Sequence, residues 1–218
     1  MYNNLFIQFI VTLPALLVSM MLHEVAHGYV AYRLGDQTAK QRGRLSLNPV
    51  RHLDRLGTLV LCLTYFLSGG TALFGWAKPV PISPGSFKDP QRGMMWVGAA
   101  GPAANLLIAI ASALALKWAF PYPLPDSYLF MVLFLTFRLN LILMVFNLIP
   151  VPPLDGSRIV GGFLSRGAYL RWIRLDQYEM MFVMLVWFVL IGFGPVGSGF
   201  SSFFGSLYHI FLPASYGF

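Results

Sequence analysis

Residues 5–22, LFIQFIVTLPALLVSMML, are apolar apart from Gln8, Thr12 and Ser19, and a helical pattern continues through HEVAHGYVAYRL to Gly35. Glycine there is a common helix stop. About 30 helical residues at ~1.5 Å each would span roughly 45 Å, enough to cross a bilayer and project beyond it. Only 11% of the 218 residues are charged, whereas a soluble domain carries about 25%. The chain has too little polar surface to cover a water-facing globule. The expected fold is an all-α polytopic membrane protein.

Further apolar spans fall at 93–118 and 128–149, and shorter ones at 178–193 and 200–212. The apolar piece at 56–67 is too short for a full crossing and is expected to be re-entrant or shallow. The net charge of +7 sits in the loops: Lys40, Arg42, Arg44, Arg51 and Arg55 in one, and Arg158, Arg166, Arg171 and Arg174 in another. Basic loops between apolar segments set topology and meet lipid headgroups, so no nucleic-acid partner is expected. The same asymmetry puts both loops in the cytoplasm and the N-terminus outside. The start, MYNNLFIQFI, lacks a basic n-region, so the first span is read as a retained helix.

Ionisable side chains are rare in such helices and usually have a role. Here His23-Glu24-x-x-His27 ends the first span. Histidines four apart share one helix face, so both can reach one Zn²⁺, with Glu24 placed to reach the water that zinc activates. A third ligand is needed. His52, Asp54 and His209 are available, and Asp126 falls on the outer turn. Asp155 follows a span that ends on the same side as the histidines, within PVPPLDG. On spacing alone it is equally a ligand or an ordinary Asp-Gly turn. Asn105, Asn140 and Asn147 interrupt apolar helices. Each could donate to a developing oxyanion or simply hydrogen-bond between helices. Asn140 is assigned to the second role, and Asn147 to the first because of its closeness to Asp155.

In order, HEVAH, GPAAN and FNLIPVPPLDGSR resemble the motifs of the site-2 proteases, which are zinc intramembrane metalloproteases. The match covers about residues 5–165. It implies a three-helix catalytic core with additional C-terminal helices at about 178–213, all in one domain over 1–218. It also implies one Zn²⁺ per chain on His23, His27 and Asp155, with Glu24 catalytic. Asn147 would stabilise the oxyanion, and Asn105 would lie near substrate or just behind the metal's ligands. A small membrane-embedded β-hairpin is implied at FGWAKPVPI. Its edge, with Gly75, Trp76, Ala77, Lys78, Pro79 and Val80, would receive an unwound segment of a transmembrane protein or peptide substrate. The plain alternative for that stretch is a loop. The intervening loops are too short for a PDZ domain or a CBS pair, so the likeness is to the compact subgroup. The expected location is a multi-pass position in a prokaryotic inner membrane, with the active site towards the cytoplasm.

Two other functions use the same residues. A metal transporter or sensor would line a pathway with acidic and histidine side chains on several spans, yet the chain is poor in acidic residues. A catalytically silent binder of membrane segments would have no need of an intact HExxH.

Overall fold

The computed structural model of the chain describes residues 5–70, 74–120, 122–124, 127–178, 181, 194–213 and 216. Three of its helices are long and apolar enough to cross a membrane: α1 (Leu5–Arg33), α4 (Pro90–Ala119) and α5 (Tyr128–Leu148). Shorter helices are α2 (Thr38–Gln41), α3 (Arg55–Leu67), α6 (Asp155–Gly161), α7 (Arg166–Trp172) and α8 (Gly194–Phe211).

Local chemistry sets the helix starts. The Asp54 carboxylate accepts from the Gly57 amide at the head of α3, and Asp89 accepts from Arg92 where α4 begins with Pro90. Ser127 accepts from the Phe130 amide to open α5. Each bond satisfies an amide that a helix start leaves without a partner. The 13 residues of α3 extend only ~20 Å at ~1.5 Å each, short of the ~30 Å hydrocarbon layer. The terminal helix begins earlier than the expected 200–212, at Gly194. The expected apolar span at 178–193 lies outside the described residues except for Tyr178 and Met181.

The middle of the bundle is α4, which packs against α1, α5 and α6. One apolar cluster joins Ala109 and Leu116 of α4, Phe137 and Leu141 of α5, and Phe204 and Tyr208 of α8. A second joins Ala31, Phe87 and Val97. Lipid tails are as apolar as these side chains, so close packing and polar links between helices matter more here than in water. Asn140 makes such a link: its fully buried amide donates to Ser19 Oγ at 2.7 Å and to Thr136 O at 2.8 Å. This is the interhelical role assigned to it from the sequence.

Among the described residues, the expected β-hairpin appears only as an isolated antiparallel bridge between Leu53 and Ala77. Beyond it the chain runs without regular structure to Ser83. Pro79 and Pro81 remove two of the amide donors that a ladder would need. This stretch, 74–83, is called the strap below.

Candidate metal centre

His23 and His27 project from one face of α1 and are both buried. Asp155 is the first residue of α6, reached by the proline-rich turn after α5, and is also buried. The three converge. The two Nε2 atoms are 3.0 Å apart, and each lies 3.2 Å from Asp155 Oδ2.

The outer nitrogens fix the imidazole tautomers. His27 Nδ1 is 2.6 Å from the Val97 carbonyl oxygen, which can only accept, so Nδ1 bears the hydrogen. His23 Nδ1 likewise donates to Asn105 Oδ1 at 2.7 Å. Both Nε2 atoms therefore present lone pairs to a carboxylate oxygen that has no hydrogen-bond donor. Three such groups repel one another unless a cation sits among them. Tetrahedral zinc with bonds of about 2.0–2.1 Å sets its ligand atoms about 3.3 Å apart, close to the spacing seen. The donor set of two imidazoles and one carboxylate suits Zn²⁺ with a position left open. Among the described residues this is the one group that could hold a metal ion.

Gly101 of α4 makes the approach possible. A Cβ there would lie 2.5 Å from His23 Cε1 and from His27 Nε2. The GPAAN motif thus supplies a bare backbone against the imidazoles and, one turn on, the asparagine that holds one of them.

A cavity of about 760 Å³ opens beside the cluster. Glu24, Asn147, Phe146, Met20 and the strap residues Gly75, Trp76, Ala77, Pro79 and Val80 line it. Glu24 Oε2 accepts from the Val80 amide at 2.8 Å. Asn147 donates to Leu143 O of its own helix at 2.9 Å, and its second amide hydrogen has no partner among the described residues. Of the two places open to Asn105, it takes the one behind the ligands, fully buried against His23 and away from the cavity. The expectation for Lys78 needs correction: it is exposed and is not among the strap residues that line the cavity.

Residues 122–193 match Peptidase family M50. The chain is 38% identical over 188 residues to a Bacillus subtilis protein named "Putative zinc metalloprotease YwhC", covering 84% of this chain and 80% of that one. The chain belongs to peptidase family M50. A Mycobacterium tuberculosis M50 relative named "Putative zinc metalloprotease Rip2" is 30% identical over 203 residues, 93% of this chain and 73% of that protein. "Zinc metalloprotease MJ0392" of Methanocaldococcus jannaschii is 30% identical over 155 residues, 69% of this chain and 33% of that protein. No solved structure matches. The likeness to site-2 proteases read from three short motifs thus extends over most of this M50 chain, which is a multi-pass membrane protein.

Other groups near the cluster and the strap left a weaker signal in the sequence. The Val97 carbonyl is main chain and leaves no residue signature. His52, Asp54, Asp36 and Arg44 sit in the polar loops after α1. His52 is buried and Asp54 caps α3, so neither joins the metal cluster. The signal for Asp36 and Arg44 was weak, since charged loop residues are usually solvated.

Proposed function

We propose that this chain is a zinc-dependent intramembrane endopeptidase that cleaves peptide bonds in or near transmembrane segments of other membrane proteins. The main support is the convergence of His23, His27 and Asp155 at a cavity that also holds Glu24. A metal held by these three residues would supply a Lewis acid that activates water and polarises a carbonyl.

The chain's own groups do the rest. Glu24 uses its Val80-bonded oxygen to stay oriented and the other to take a proton from the attacking water. It then returns that proton to the leaving nitrogen. Asn147, on the cavity wall, turns its free amide hydrogen towards the oxygen on which charge develops. Asn105 and the Val97 carbonyl hold the imidazoles. The strap residues 75–80 take an unwound substrate segment alongside them, completing an edge-strand pairing when the guest arrives. Both Arg-rich loops adjoin this end of the bundle, so the positive-inside rule puts the site towards the cytoplasm. A metal carrier fits less well, because carriers line several spans with ligands and only one such group exists among the described residues.

The test uses purified full chain in detergent, a single-span model substrate and metal content measured on the same sample. Wild type should hold one zinc and cleave, while Glu24→Gln keeps zinc and loses cleavage. Equal cleavage by Glu24→Gln would overturn the assignment of Glu24 as base.

A further inference from the structure

Among the described residues no sheet holds the strap, yet it is pinned at several points. Its Lys78 amide donates to His52 O at 2.8 Å. Its Val80 amide donates to Glu24 at 2.8 Å, and its Ser83 amide donates to Asp36 Oδ2 at 2.6 Å. Arg44 grips it from the other side, donating through Nη2 to the carbonyls of Lys78 and Pro79 and through Nη1 to Arg51 O. Val80 also fits against the bare backbone of Gly28, where a Cβ would lie 2.9 Å from its Cγ1.

Two of these pins are unusual. Arg44 is 8% exposed and Asp36 is 1% exposed, and neither forms an ion pair among the described residues. Burying an unpaired charge is costly unless hydrogen bonds hold it. Arg44 spends its guanidinium on three carbonyls, and Asp36 spends its carboxylate on the Ser83 amide and on the Thr38 amide and hydroxyl. A rigid fork of this kind sets a distance that a flexible ammonium cannot.

We infer that Arg44 and Asp36 are positioning residues that clamp the strap on either side of Val80, at residues 78–79 and at Ser83, so that the Val80 amide meets Glu24 and the cavity-facing edge stays aligned for substrate. This rests on the protease reading for its kinetic consequence, but the clamp itself can be measured without any cleavage.

The experiment measures hydrogen exchange of the strap amides in the detergent-solubilised full chain, together with zinc content, kcat and KM on a single-span substrate. Arg44→Ala and Asp36→Asn should each speed exchange at residues 77–83 and keep zinc. Each should lower kcat about tenfold, since small misplacements of reacting groups are expensive, and raise KM as well. Arg44→Lys should fall between. A merely structural role would reduce the active fraction, lowering kcat and zinc together while KM stays put. That pattern, or unchanged exchange in both variants, overturns the inference. Should wild type hold zinc but cleave nothing while both variants still speed exchange, the clamp stands and the protease reading fails. Asp36→Asn keeps the side-chain shape and provides the test if Arg44→Ala does not fold.

Discussion

Asn105 Oδ1 lies 2.7 Å from Nδ1 of His23, a residue 82 positions earlier in the chain. The bond fixes which nitrogen of His23 faces the metal position, and it does so from the centre of α4. Asn105→Leu removes the acceptor and frees the ring to rotate or change tautomer. Loss of such an outer partner costs about 10–100-fold in metal affinity. Competition with a chelator of known affinity, followed by metal analysis, checks this.

Asp155→Ala should lose zinc outright, because two histidines alone leave the ion without its anionic ligand. Metal analysis after gel filtration should give well under one zinc per chain, against one for wild type. Retention of full zinc would mean that another carboxylate completes the site.

Gly101→Ala tests the close approach of α4. The added methyl would fall 2.5 Å from atoms of both imidazoles, so α4 must back away or the rings must turn. The variant is expected to insert in the membrane normally but to bind zinc poorly. Comparable zinc binding in Gly101→Ala and wild type would contradict the packing described.

Much of the metal site was legible in the sequence, for a physical reason. HExxH is local, and 3.6-residue periodicity alone puts both histidines on one face. Asp155 was ambiguous by spacing, since an Asp-Gly turn looks the same, and only the order of three motifs favoured it. Asn105 was visible as a polar residue in an apolar helix, but its partner was not, because facing depends on how α1 and α4 cross. Arg44 was read as a topology signal, as loop arginines generally are. Its partners are main-chain carbonyls, which have no sequence signature. The strap was read as a hairpin, and its two prolines leave too few donors for a ladder to form within one chain.

Asn140→Leu should destabilise the bundle without touching chemistry. Hydrogen bonds between membrane helices average about 0.6 kcal/mol and reach about 1.7 kcal/mol. A drop in Tm of a few degrees is expected in a detergent melt, with kcat per zinc-loaded chain unchanged. A large fall in kcat at full zinc loading would instead place Asn140 in the reaction.

Acid should loosen the loop that follows α1. Burial pushes the Asp36 carboxyl up, but the Ser83 amide and the Thr38 hydroxyl and amide outweigh it, holding the group below the usual carboxylate range. A lowered folded pKa contributes stability above the unfolded value of about 3.9, and that stability is lost as pH falls through the lower folded value. Thermal melts should therefore show part of the acid-side decline disappear in Asp36→Asn. An identical pH profile in the two proteins would show that Asp36 is not responsible.

The metal position also bears on how the bundle stays assembled. Its ligands come from residues 23, 27 and 155, and the atoms behind the two imidazoles come from residues 97 and 105. Two long helices, α1 and α4, and the short α6 would thus meet at one ion. Cys62 is the single cysteine in these 218 residues, so no internal disulfide can tie the helices together. Zinc would act as the missing crosslink, fastening segments that lipid gives little reason to stay together. The apo chain would then be the looser one, and metal supply would govern how long the protein survives in the membrane as well as whether it works.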